Sequence, residues 1–141
     1  MGDAEATRHA IDAVTALRLI REGRNAEVRH PFVAPSLIRS HAMAMLYREV
    51  REGRLDERDA RTSLEGLASL RMRLLSDRVS RATAWRFARQ LDLDDPSLAE
   101  YLAVATLQAD VLVAGDERVA AAAVGIVPLA AYATLGLARI E

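Results

Sequence analysis

Asp12 and Asp116 are the residues of this 141-residue chain whose type and setting point most directly to chemistry. Asp12 ends a short apolar run, His9-Ala10-Ile11, and Asp116 follows a second, Val111-Leu112-Val113-Ala114, across Gly115. Both runs read as strands, and in an open parallel sheet ligands bind beyond the C-terminal strand ends, where helix N-termini converge. If the two strands are neighbours, the carboxylates meet at one rim. Two hard oxygen ligands there suit Mg²⁺ or Mn²⁺, which polarises phosphate and activates water. Each aspartate also has a plainer explanation, as the N-cap of the helix that follows its strand.

Exclusion narrows the chemistry further. With no cysteine, thiol catalysis, Cys-type zinc sites, iron–sulfur centres and disulfide scaffolds are ruled out. Neither a G-x-G-x-x-G turn nor a Walker loop occurs, and no nucleophile elbow surrounds any serine. His9, His30 and His41 lack the i, i+4 spacing of helical metal ligands. All 19 basic residues are arginine, set against 20 acidic ones for a net charge of −1. Any nucleic-acid contact is therefore a local patch and not a global clamp.

The elements that must position these residues alternate along the chain. A strand over residues 9–11 precedes a helix over 15–21, closed by Gly23 in a left-handed C-terminal position. Residues 24–30 are loop-like, and 31–35 form a brief extended piece between prolines. Helices follow over 36–51, ended by Gly53, and from Asp56 to about residue 70. A strand over 71–75 leads to the capping pair Ser76-Asp77 and a helix whose buried stripe is read as Val79, Ala82, Trp85, Phe87 and Ala88. Asp95 and Pro96 open the next helix, which runs to residue 108 through Leu98, Leu102, Ala105 and Leu107. The strand at 111–114, a short Ala-rich helix over 117–124, an edge strand at 126–129 and a last helical turn over 131–137 complete the reading. This alternation predicts one α/β domain over residues 1–141, a three-layer fold with a central parallel sheet flanked by helices. With 51% hydrophobic residues the chain can bury one core without metals or disulfides. No apolar run spans a bilayer, and Met1-Gly2-Asp3-Ala4-Glu5 lacks a signal peptide's basic and apolar regions, so a soluble cytoplasmic protein with no membrane contact is expected.

Several short motifs in order resemble PIN-domain proteins of the VapC toxin type: Ile11-Asp12-Ala13, then Val33-Ala34-Pro35-Ser36-Leu37-Ile38-Arg39-Ser40-His41, then Ala99-Glu100-Tyr101-Leu102-Ala103, then Leu107 through Asp116. The stretch Arg73-Leu74-Leu75-Ser76-Asp77-Arg78-Val79-Ser80-Arg81 with Trp85 is similar to an actinobacterial branch of that group. The resemblance spans residues 8–137. It implies a small domain that cuts RNA with Mg²⁺ or Mn²⁺ held by an acid cluster, a homodimer, and neutralisation by a VapB-type antitoxin.

Carried over residue by residue, the first and last family acids match Asp12 and Asp116. The second falls on His41 and the third on Leu98, while Val14 and Ala114 replace polar neighbours of the acids. Asp95 and Glu100 are the nearby carboxylates that can substitute as metal ligands. Glu100 lies about 200° around the helix from Leu98, whereas Asp95 lies nearly one turn before it. His41 can contact phosphate or donate a proton to a leaving oxygen. RNA contacts are expected from Arg18, Arg21, Arg39, Arg48 and Arg81, with Trp85 and Phe87 assigned to packing. Two readings stay open: a metal-dependent endoribonuclease toxin, and an impaired PIN-fold module that binds RNA or an antitoxin without cleaving.

Overall fold

The computed structural model describes residues 7–135. Strands β1 (His9–Ile11), β2 (Phe32–Pro35), β3 (Met72–Leu75) and β4 (Val111–Val113) alternate with helices α1 (Ala13–Arg21), α2 (Ile38–Arg51), α3 (Glu57–Ser69), α4 (Arg78–Gln90), α5 (Ser97–Gln108) and α6 (Glu117–Ala123). The strands form one parallel sheet in the order β3-β2-β1-β4, as the α/β reading requires. The pairing on which the site depends is present: His9, Ala10 and Ile11 of β1 lie opposite Val111, Leu112 and Val113 of β4. Asp12 and the turn leading to Asp116 therefore leave the sheet side by side.

Local chemistry sets the helix ends. Asp12, Asp56, Asp77 and Asp116 each cap a helix by accepting a backbone N–H two or three residues on, at 2.8–3.1 Å. At the other end of α1, Gly23 takes φ +67°. Its N–H donates to Ile20 while that of Arg24 donates back to Leu19, the paired closure that favours glycine. Two helix groups, α1 with α2 and α3, and α4 with α5 and α6, pack around the sheet. The small residues Ala99, Ala103 and Ala105 bring α5 close to β1 and β2, and this helix is buried on nearly every side.

Two expectations fail. The stripe of α4 that faces the core is Ser80, Thr83, Ala84 and Phe87, and Val79, Ala82 and Trp85 point to solvent. Apolar type misleads here because Ser80 and Thr83 supply the proper spacing with Phe87, which helix geometry places opposite Trp85. The edge strand at 126–129 is reduced to a single bridge between Leu112 and Leu129. There the Pro128 carbonyl accepts from Leu112 N–H at 2.9 Å, a role open to proline, and Ala130 N–H returns one bond to Leu112. The final turn is a 3-10 turn at Tyr132–Thr134; residues 136 and 137 lie outside the described residues. Among the described residues no helix is long and apolar enough to cross a membrane.

Gly66 marks a close approach of α3 to α1, since a Cβ added there meets Ile20 Cγ2 at 2.7 Å. Alanine gains about 1 kcal/mol of helix propensity, but overpacking against a branched methyl costs about 1–3 kcal/mol. Gly66→Ala is expected to lower stability in urea unfolding, and the loss should vanish when the same change is made in an Ile20→Ala background.

Candidate functional site

Asp12 is 1% exposed and forms no ion pair among the described residues. Its Oδ1 accepts from the N–H groups of Thr15 (2.9 Å) and Gly115 (3.0 Å), and its Oδ2 accepts from Asp116 N–H at 2.9 Å. Three charge-assisted bonds and the positive end of α1 replace the water lost on burial. Thr15 adds a second stitch, donating its hydroxyl to the Val113 carbonyl at 3.0 Å. Val14 fills the space beside Gly115 so closely that a Cβ there would lie 2.6 Å from Val14 Cγ1.

Outside this buried knot lies a cleft of about 340 Å³ that His41, Asp94, Asp95, Leu98, Asp116 and Arg118 help to line. Asp116, with 18% of its side chain exposed, is held by Arg118. Its Oδ1 accepts Arg118 N–H at 2.8 Å and its Oδ2 accepts Arg118 Nη2 at 3.1 Å. Burial pushes the Asp116 carboxyl up, but the bonds and charge of Arg118, helped by Val119 N–H, outweigh it and hold the group below the usual carboxylate range. Asp95 accepts Ser97 N–H at 2.8 Å. That bond and the Ser97 hydroxyl lower its pKa, with a smaller contribution from nearby His41.

His41 reaches the cleft from the first turns of α2. Its Nδ1 shares a 2.7 Å hydrogen bond with the hydroxyl of Tyr101, a buried residue of α5. The Tyr101 pKa is raised, first by burial and then by the Asp12 charge, against a hydrogen bond from Ala13 N–H. With Nδ1 engaged by Tyr101, Nε2 is the His41 ring nitrogen left for a ligand.

Of the residues expected to act, Asp116, His41 and Asp95 line the cleft, and Asp12 lies outside its lining, joined to Asp116 through the Asp116 N–H. Glu100 does not line it; half-buried on α5, it has its pKa raised by burial and then by the charge of Asp95. Arg18 pairs with Glu22 and stacks on Tyr132 at 3.7 Å, Arg21 pairs with Glu49 at 2.7 Å, and Arg81 donates to the Ser76 carbonyl. Arg39 and Arg48 are exposed. Two residues of the site, Tyr101 and Arg118, are not among those singled out in the sequence. Tyr101 is the lone aromatic of α5, whose other buried residues are aliphatic, and Arg118 is a cation in the first turn of α6, where the helix dipole disfavours it without a carboxylate partner.

Most of the acceptor positions that a Mg²⁺ or Mn²⁺ would use are engaged within the protein. Three of the acceptor positions on Asp12 are engaged, Arg118 occupies Asp116, and hydrocarbon stands at Leu98. Among the described residues no group of three or more histidine, aspartate or glutamate side chains converges on one point. No family model matches the chain, and no curated protein matches it either. Fold and cleft define a class: an α/β domain with a parallel sheet and a polar cleft at its C-terminal rim.

Asp12→Asn turns an amide NH₂ toward a backbone N–H whichever way the group is flipped, and is expected to cost about 2 kcal/mol or more in urea unfolding. Glu100 has a folded pKa above its unfolded value, so its contribution to stability is present in acid and lost as pH rises through the folded pKa. Glu100→Gln should therefore be more stable than the parent at neutral pH, by less than about 1 kcal/mol. That gain should disappear below about pH 4. Asp95 and Asp116 carry the opposite sign, stabilising above the ordinary carboxylate range and less so as pH falls through it.

Proposed function

We propose that this chain is a PIN-like domain of the VapC toxin type that acts as a cytoplasmic binding module, holding an antitoxin-type protein partner at its rim without metal-dependent RNA cleavage. The observation that carries this reading is the Asp116–Arg118 pair, which already neutralises one carboxylate beside an Asp12 saturated by backbone donors. What the cleft still offers is negative. Asp94 and Asp95 line it together with His41, so it suits a guanidinium or ammonium group better than a phosphate. A helix or strand of a partner carrying one arginine would find carboxylate acceptors there and the apolar wall of Leu93 and Leu98 beside them. Homodimerisation belongs to the same reading and is served by Met43 and Tyr47, exposed on α2 at 52% and 64%.

The alternative of an endoribonuclease toxin is favoured by one feature, the meeting of Asp12 and Asp116 at a single rim. On that view RNA phosphate supplies the oxygens that the protein lacks, and Arg118 must release Asp116 before Mg²⁺ or Mn²⁺ can bind.

Calorimetry with Mn²⁺ and cleavage of a structured RNA, each for the parent and for Arg118→Ala, separate the two. We expect no saturable Mn²⁺ heat and no cleavage from the parent. An arginine-containing helical peptide should bind about tenfold more weakly to Asp94→Asn/Asp95→Asn. Cleavage in Mn²⁺ that is lost in Asp116→Asn and enhanced in Arg118→Ala establishes the nuclease instead.

A further inference from the structure

A strongly charged surface lies outside the rim cleft, on the side of α4 turned away from the core. The 13 residues of α4 include four arginines and no carboxylate, in a chain whose net charge is −1. At 100° per residue, Arg78, Arg81, Ala82, Trp85, Arg86 and Arg89 fall within about 140° of arc. All six are exposed. Trp85 is 66% exposed and Val79, at the border of the arc, 57%. Arg78 to Arg89 covers roughly 16 Å along the axis, with the indole between them. Among the described residues none of the four arginines forms an ion pair. Arg81 donates to the Ser76 carbonyl at 3.2 Å, and the Arg86 guanidinium lies 5.4 Å from the Phe87 ring centre.

We propose that the outer face of α4 docks single-stranded nucleic acid, with Trp85 as the stacking platform for a base and Arg78, Arg81, Arg86 and Arg89 on the flanking phosphates. Planar guanidinium groups bind phosphate bidentately, and an exposed indole offers a flat apolar surface that an unpaired base covers. The face is self-repelling, so a second copy docked across a twofold axis would set arginine against arginine. Its apolar share, Val79, Ala82 and Trp85, is too small for a helix that lies in a membrane interface. None of these residues lines the rim cleft, so this surface is independent of whatever the cleft holds.

Trp85 is the only tryptophan in the chain, which makes it a native reporter. Titrating the full chain with a short oligouridylate, and separately with an oligothymidylate, should quench its fluorescence, since neither stacking nor phosphate contact reads the sugar. The logarithm of the affinity should fall with the logarithm of salt concentration at a slope of about −2 to −3, at about −0.7 per phosphate contacted. Followed by anisotropy of a labelled strand, Trp85→Ala should bind about 5- to 100-fold more weakly, and Arg78→Gln/Arg89→Gln should flatten the salt slope by about 1. Arg61→Gln on α3 should change neither. Absence of binding, binding without quenching, or equal quenching by polyglutamate would overturn the proposal, the last in favour of an acidic protein segment.

Discussion

A buried carboxylate, in no ion pair among the described residues, holds the C-terminal rim of this domain together. Asp12 collects N–H groups from the first turn of α1 and from the turn after β4, so the ends of two adjacent strands and the starts of two helices share one anchor. Burying a charge is tolerable only when oriented dipoles replace its hydration, and here they come from backbone whose position the sheet itself fixes. The knot leaves no room for alternatives: Val14 packs against Gly115 on one side and Thr15 binds the Val113 carbonyl on the other.

That anchor decides what the cleft above it can do. Asp12 faces inward, toward backbone donors, and Asp116 is displaced outward, where Arg118 meets it. Beside it, the Tyr101 hydroxyl ties α5 to His41 on α2. The rim is thus a chain of satisfied polar groups more than an open set of oxygen ligands, and its unspent charge sits at Asp94 and Asp95. On the proposed reading this cleft would take a cationic group of a partner, because carboxylates lining a shared space repel phosphate and attract guanidinium.

Charge is distributed, not absent. A net charge of −1 conceals an acidic rim and an arginine-rich α4 none of whose residues lines that rim cleft. Under the two proposals above, surfaces of opposite sign would meet two different kinds of partner. The separation is possible because α4 meets its core requirement with Ser80, Thr83, Ala84 and Phe87, which frees Trp85 for the outside.

Much of this architecture is legible in residue order. The caps at Asp56 and Asp77, the glycine stops at Gly23 and Gly53, and the alternation of strands and helices follow from short-range chemistry, whereas the adjacency of β1 and β4 is fixed only in the folded sheet. Side-chain partnerships at the rim are not legible, because they join residues far apart in the chain and leave no local pattern: Asp12 with the Gly115 N–H across 103 positions, Tyr101 with the His41 ring across 60. Nor does apolar character alone say which face of α4 is inside, since tertiary packing accepted two hydroxyl residues and rejected an indole. The sequence by itself determined where the elements begin and end, for those boundaries depend on caps and turns a few residues long. Only the tertiary structure decided which donors reach each oxygen of the two aspartates, since those donors come from backbone that the fold brings together from opposite ends of the chain.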